Sequence, residues 1–260
     1  MVIEYSARSH MGRVRENNED NLFADGILLP PDAGARPFAI DGNAKFPAVF
    51  AVCDGIGGEE NGEIASLLSV QMLSSMCKHF KLTAPERLGW IVGYYAGKVN
   101  DFIQFEAKRL GKQMGTTLAL VVATGNQIYC FNIGDSRIYV LKKAALRQIT
   151  NDHTTIAEQV RAGLINPGYA TSAKQGSKLM RCIGMGDSHI VESYPPISGK
   201  CRILICSDGL SDMVNPTGIE DILNAFPRAE DAANSLLEVA LENGGRDNVT
   251  LIVADVKKRA

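Results

Sequence analysis

The sequence predicts an α+β fold, a four-layer α-β-β-α sandwich of two antiparallel sheets flanked by helix pairs. Three observations predict it. Two consecutive amphipathic helical stripes fill residues 60–110. Short apolar segments separated by turn residues follow from 115 to 150. A second helix pair then precedes a closing strand at 249–256. No internal repeat, low-complexity segment or linker interrupts the 260 residues, so they read as one domain over 1–260.

Residues 2–8 alternate as a strand does, with a turn from His10 to Gly12. The polar run Gly12-Arg13-Val14-Arg15-Glu16-Asn17-Asn18-Glu19-Asp20 leads into a short strand at 21–24. Residues 25–47, rich in Gly, Pro and Asp, read as a hairpin with a loop. The apolar run 48–53 suits a strand buried on both faces. Ile64, Leu67, Leu68, Met72, Leu73, Met76 and Phe80 form the stripe of the first helix. Thr83 and Glu86 have capping-box spacing around Pro85. The second helix runs to about 110 and is expected to bury Leu88, Ile91, Tyr95, Val99, Phe102 and Ile103. The segments 116–123, 127–133, 137–141 and 146–149 read as an antiparallel meander. Asp152 reads as the cap of a helix at 154–162, rather than as a metal ligand. Residues 163–177 are polar and aperiodic, a flap, and 178–183 and 189–193 are further strand candidates. Asn215-Pro216 opens one late helix, and alanine-rich 230–243 forms the last, stopped by Gly244-Gly245.

Composition excludes several function classes. The formal net charge is −2, and no basic run interleaved with aromatics is present, so nucleic acid is not an expected partner. The first twenty residues lack an apolar leader, and no stretch of 18 apolar residues occurs, so neither membrane insertion nor secretion is expected. The six cysteines show no CxxC pairing and read as reduced core thiols of a cytoplasmic protein. The four histidines form no metal-type pair.

The chemistry centres on residues 48–58, AVFAVCDGIGG. A buried strand ends at Asp54, and Gly55, Gly57 and Gly58 follow, so a carboxylate stands at the strand mouth beside unobstructed backbone. A dinucleotide loop fits poorly, because Glu60 occupies the last glycine position and Asp54, Glu59 and Glu60 repel a pyrophosphate. An aspartyl phosphotransferase would have a second Asp where Ile56 stands. A plain Asp-Gly turn is the simplest alternative. The pattern returns, however. Residues 202–207 form an apolar strand ending at Asp208-Gly209, and strand 249–256 starts directly after Arg246-Asp247-Asn248. If the third strand runs antiparallel to the other two, all three aspartates meet at one edge of the sheet core. Such a cluster needs cations to relieve its repulsion, and its oxygen-only donors favour Mg or Mn over zinc. The run at 12–20 adds Glu19 and Asp20 as further carboxylates, beside a guanidinium able to clamp a phosphate.

The segments GRVRENNED, AVCDGIGG, MGTTL, NIGDSR, TNDH, LMRCIG, ICSDGLSD and GGRDNVT occur in this order between residues 12 and 250. In these the chain resembles the metal-dependent serine/threonine protein phosphatases of type 2C, in their bacterial form. The resemblance implies that Asp54, Asp208 and Asp247 ligate two Mg or Mn ions directly. Asp54 then bridges the pair, and the Gly55 carbonyl binds one ion. Glu19 and Asp20 reach metal-bound waters, and Arg15 binds the substrate phosphate. Asp135 and Asp212 match residues that, with Asp208, hold a weaker third ion.

The implied activity is hydrolysis of phosphoserine and phosphothreonine in proteins, by a hydroxide bridging the two ions. The implied partners are phosphoproteins made by a serine/threonine kinase, and the enzyme is expected to be a monomer. Some members carry a His after the Asp-Gly as a candidate general acid; here Ile56 stands there. A metal-bound water is expected to protonate the leaving alkoxide instead, with His153 as the competing acid to be tested. The main alternative is an inactive relative that binds phosphoproteins or a kinase, which loss of a core aspartate would signal; none is lost. A phosphatase of small molecules is the other.

Overall fold

The computed structural model describes residues 1–30, 36–57, 61–166, 177–187 and 189–257. One sheet contains β1 (Val2–His10), β4 (Phe38–Lys45), β10 (Arg137–Lys142), β11 (Ala145–Gln148), β14 (Cys201–Cys206) and β15 (Val249–Lys257), in the order β11-β10-β14-β15-β1-β4. The other contains β2 (Asn21–Ala24), β3 (Ile27–Leu28), β5 (Ala48–Cys53), β8 (Leu118–Thr124), β9 (Gln127–Ile133), β12 (Glu192–Ser193) and β13 (Ile197–Ser198). Its order is β12-β9-β8-β5-β2-β3, with β13 also on β9, and every pairing in both sheets is antiparallel. A small ribbon joins β6 (Gly55–Gly57) to β7 (Met114–Thr116).

The strand period of two explains why the apolar runs are continuous. In β5, Ala48, Phe50 and Val52 face the other sheet, while Val49, Ala51 and Cys53 face helices. In β14, Ile203 and Ile205 point between the sheets, and Leu204 and Cys206 point outward to the second helix pair. The outer layers are α1 (Gly62–Leu82) with α2 (Leu88–Leu110), and α5 (Pro216–Ala225) with α6 (Ala229–Glu242). Between them lie the short helices α3 (Thr155–Arg161) and α4 (Asp208–Ser211). Each large side chain so buried contributes about 1.5–3 kcal/mol. The four-layer α-β-β-α sandwich is therefore the fold.

Several local expectations are corrected. Residues 25–47 do not form one hairpin: β3 closes a hairpin on β2, but β4 crosses to the other sheet and pairs with β1. Its alternation of half-buried and exposed residues is that of an edge strand. The meander is broken at Gly134-Asp135-Ser136, where the chain leaves β9 in one sheet for β10 in the other. Residue 116 belongs to β7 rather than to the long strand. Residues 178–183 make only isolated bridges, at Leu179 and Ile183, and 189–193 is strand only in β12. Thr154, not Asp152, caps α3, its hydroxyl accepting from the Ala157 N–H. Phe102 is 47% exposed rather than core. Most of the expected flap, at 167–176, lies outside the described residues.

Candidate active site

The two Asp-Gly steps end strands in different sheets, and the glycines have a packing reason. A Cβ on Gly55 would lie 2.3 Å from the Gly62 carbonyl oxygen and 2.4 Å from that of Glu19; one on Gly209 would lie 1.9 Å from the Asn248 carbonyl oxygen. No real side chain fits such spaces, so both positions require glycine. The absent Cβ lets three backbone segments converge behind Asp54 and two behind Asp208, rather than opening the aspartate to a ligand.

Asp54 is held from behind by the segment after β7. Its N–H donates to Thr117 Oγ1 (2.9 Å), and its carbonyl accepts from the Thr117 N–H (2.9 Å) and Thr116 Oγ1 (3.0 Å). Thr117 Oγ1 is also bonded to Ser136 Oγ (2.7 Å), next to Asp135. Asp54 and the Asp135 crossover are thus tied by two side chains. Asp208 starts α4 after β14, and Asp212 follows one turn on, its N–H donating to the Asp208 carbonyl (2.8 Å). Asp20 is buried, and Ser207 Oγ donates to its carboxylate (2.7 Å). Arg15 Nη2 donates to Asp247 Oδ2 (2.7 Å). Glu19 accepts from the Gly62 N–H at the start of α1.

The electrostatics show which carboxylates share one space. Burial, followed by the charges of Asp20, Asp208, Asp135 and Asp247, holds the Asp54 carboxyl well above the usual carboxylate range. Burial raises Asp20 in the same way, reinforced by Asp208 and Asp247 against the hydrogen bonds of Ser207 and Thr250. Asp135 is pushed up to about 7, by burial first and then by Asp208 and Asp152. The three aspartates read as a cluster do converge, but from both sheets rather than along one sheet edge. Asp212 is exposed, and the leading charges on Asp54 and Asp135 do not include it. Asp152 is engaged instead by Arg137, through Nε (2.9 Å) and Nη2 (2.6 Å).

Among the described residues, no three His, Cys, Asp or Glu side chains close into a single cage around a point. A cation here would take oxygen donors from separate strand ends and complete its shell with water. That arrangement suits Mg or Mn, which take oxygen ligands and keep waters. Carboxylates forced into mutual repulsion by burial are the observation that fits a cation here.

One contributor escaped the sequence reading, and a second takes a role other than the one raised for it. Asn248 is buried, and its Oδ1 accepts from the Glu19 N–H (2.8 Å) while its Nδ2 donates to the carbonyls of Met11 and Asn17 (both 2.8 Å). It staples the loop of Arg15, Glu19 and Asp20 to the start of β15; its place directly after Asp247 was the available signal. His153 is 0% exposed, with Nδ1 accepting from the Gly134 N–H (3.0 Å) and Nε2 against Glu192 Oε2 (2.7 Å). Both ring nitrogens are engaged, so His153 supports the Asp135 turn and is not placed to protonate a leaving group.

Fold and site together define a two-sheet sandwich with an acidic, oxygen-donor cleft where the strands of both sheets end. The family model for protein phosphatase 2C matches residues 37–242. The chain is 36% identical to the serine/threonine protein phosphatase PstP of Mycobacterium tuberculosis, over 98% of this chain and 45% of that protein. It therefore spans about half the length of that relative. It is 31% identical to the serine/threonine phosphatase stp of Listeria monocytogenes, over 95% of this chain and 94% of that protein. The crystal structure of the PstP catalytic domain in complex with two manganese ions superposes with a TM-score of 0.78 at 32% identity, covering 99% of this chain and 100% of that one. The chain belongs to the protein phosphatase 2C family.

Proposed function

We propose that this chain is a metal-dependent protein phosphatase acting on phosphoserine and phosphothreonine, with residues 1–260 as one catalytic domain. The convergence of Asp54, Asp208 and Asp247 from two sheets onto one half-buried group of carboxylates, beside the buried Asp20, carries this reading. Asp54, Asp208 and Asp247, with the Gly55 carbonyl, hold two Mg or Mn ions, and Glu19 and Asp20 accept hydrogen bonds from their waters. When bound, the pair supplies Lewis acidity and a hydroxide nucleophile at neutral pH. Asp135 and Asp212, with Asp208, provide a weaker third position with fewer protein oxygens. The Arg15 guanidinium binds and orients the phosphate, and stabilises charge on its oxygens. Asn248 fixes the Arg15 loop, while Thr117 fixes the Asp54 backbone, so the donors need little reorganisation.

No helix among the described residues is long and apolar enough to cross a membrane; we place the chain in the cytoplasm, serving a kinase signalling pathway. The test is hydrolysis of a phosphothreonine peptide with and without Mn, alongside a sugar phosphate. Metal-dependent release from the peptide supports the proposal. Metal binding without hydrolysis would favour a regulatory relative, and preference for the sugar phosphate a small-molecule enzyme.

A further inference from the structure

Helix α2 presents a row of uncovered aromatic side chains. Trp90, Tyr94 and Phe105 are 71%, 49% and 62% exposed, while Leu88, Tyr95, Val99 and Ile103 on the opposite side fill the core. At about 100° per residue, Trp90, Tyr94, Lys98, Asp101, Phe105 and Arg109 fall in a sector about 100° wide. Trp90 stacks on Tyr94 (centroids 5.8 Å, interplanar angle 13°), and Lys98 Nζ lies 5.7 Å from the Tyr94 ring centroid. Beside the row, Gly89 and Gly93 have open space where a Cβ would stand. Each exposed helical glycine costs about 0.5–1 kcal/mol relative to alanine, and leaves the backbone open to a close neighbour.

The row is its own complement when reversed. About a point midway between Lys98 and Asp101, an antiparallel copy sets Lys98 opposite Asp101 and Tyr94 opposite Phe105. It also sets Trp90 opposite Arg109, whose guanidinium is held by Glu106 (2.6 Å). These are an ion pair, an aromatic pair and a cation–π pair, each made twice about a two-fold axis. His189 Nε2 lies 4.0 Å from the Cβ position of Gly97, which follows Gly93 by one turn on the same flank of the row. We propose that the chain forms a two-fold homodimer in which α2 packs antiparallel on α2 of a second copy through this row. The arrangement departs from the monomer expected from the sequence. None of the six residues belongs to the acidic cleft, so each subunit keeps its own active site.

Sedimentation velocity of the full chain from about 1 to about 200 µM, bracketing micromolar association, tests this. Wild type should move with loading toward twice the monomer mass. Lys98→Asp sets Asp against Asp twice and Asp101→Lys sets Lys against Lys twice, so each should raise the dissociation constant at least about tenfold. An equimolar mixture of the two variants restores both ion pairs and should dimerise, as should the double swap. Phosphatase activity per subunit should be unchanged in all of them, and melting temperature should match wild type at loadings where wild type is monomeric. The proposal is overturned if wild type stays monomeric throughout, if the single reversals dimerise as wild type does, or if mixing restores nothing.

Discussion

Arg15 donates to Asp247 across the mouth of the acidic cleft at 2.7 Å, joining two residues 232 positions apart. Without a cation, the guanidinium is the positive charge nearest that carboxylate. Under the proposed function, an ion bound at Asp247 would replace Arg15 as its partner and release the guanidinium to the phosphate. Arg15→Ala should therefore raise KM for a phosphopeptide by about tenfold or more, with a smaller fall in kcat. Metal affinity should stay the same or tighten, since a competing cation is lost. Steady-state kinetics and metal titration read the two effects separately, and an unchanged KM would place the phosphate elsewhere.

Asp54→Asn should cost several orders of magnitude in kcat while leaving the fold intact. The Asp54 carboxyl is raised by desolvation first and then by four neighbouring aspartates, so removing its charge relieves both costs in the apo protein. Its melting temperature in EDTA at pH 8 should rise by a few degrees, about 1–2 kcal/mol. The sign of the pH dependence follows from Asp135, raised from 3.8 to about 7. A carboxyl that binds its proton more tightly folded than unfolded destabilises the fold above its folded value. That cost fades as pH falls from about 7 toward 3.8. The contribution of this cluster should therefore make the apo protein more stable at pH 6 than at pH 8, and added Mn should erase the difference. Near-normal activity in Asp54→Asn would remove it from the site.

Asn248→Ala deletes three hydrogen bonds to the loop at 11–19 while touching no phosphate or ion. It should destabilise the protein by about 2–3 kcal/mol, as buried groups at Glu19, Met11 and Asn17 lose their partner. Activity should fall through both KM and metal affinity, because Arg15, Glu19 and Asp20 lose their common anchor. Hydrogen exchange confined to residues 11–20 would locate the effect; uniform loosening of the whole chain would contradict it.

The sequence was most legible where one physical demand governed a segment. β2, β5 and β9 fall at the expected bounds because their alternate residues fill two apolar layers at once. Asp54, Asp208 and Asp247 could be grouped because each stands at a strand end. Legibility failed where the partner was distant. β4 reads locally as part of a hairpin, yet its partner is β1, with pairings from Ser9–Phe38 to Val2–Lys45. The crossover at Asp135 looks like an ordinary hairpin turn, and only long-range pairing shows that it changes sheets. Arg202 and Asp255 form a buried double contact (2.6 and 2.8 Å), with the guanidinium also capping the carbonyls of Leu223 and Pro227; nothing in their spacing of 53 residues announces it.

The last prediction concerns how Asp135 is held. Its turn is gripped by His153 on both sides of Gly134: the Gly134 N–H donates to Nδ1, and the His153 N–H donates to the Gly134 carbonyl, both at 3.0 Å. The acceptor role of Nδ1 puts the ring proton on Nε2, toward Glu192, and burial holds the imidazole pKa down. The His153 carbonyl also accepts from the Met180 N–H (2.7 Å), so the same residue ties the Asp135 turn to the segment leaving the expected flap. Asp135→Ala should lower turnover and remove a weak metal event while leaving two tight ones in calorimetry. His153→Leu removes the Nδ1 acceptor and should reproduce that loss of the weak event with Asp135 still present. His153→Asn can return an acceptor near the Nδ1 position and should recover much of it, although Glu192 loses its partner. If Asp135→Ala abolishes the tight events, Asp135 belongs to the central pair. If His153→Leu changes only the melting temperature, with all metal events intact, its hold on Gly134 serves stability and not the position of Asp135.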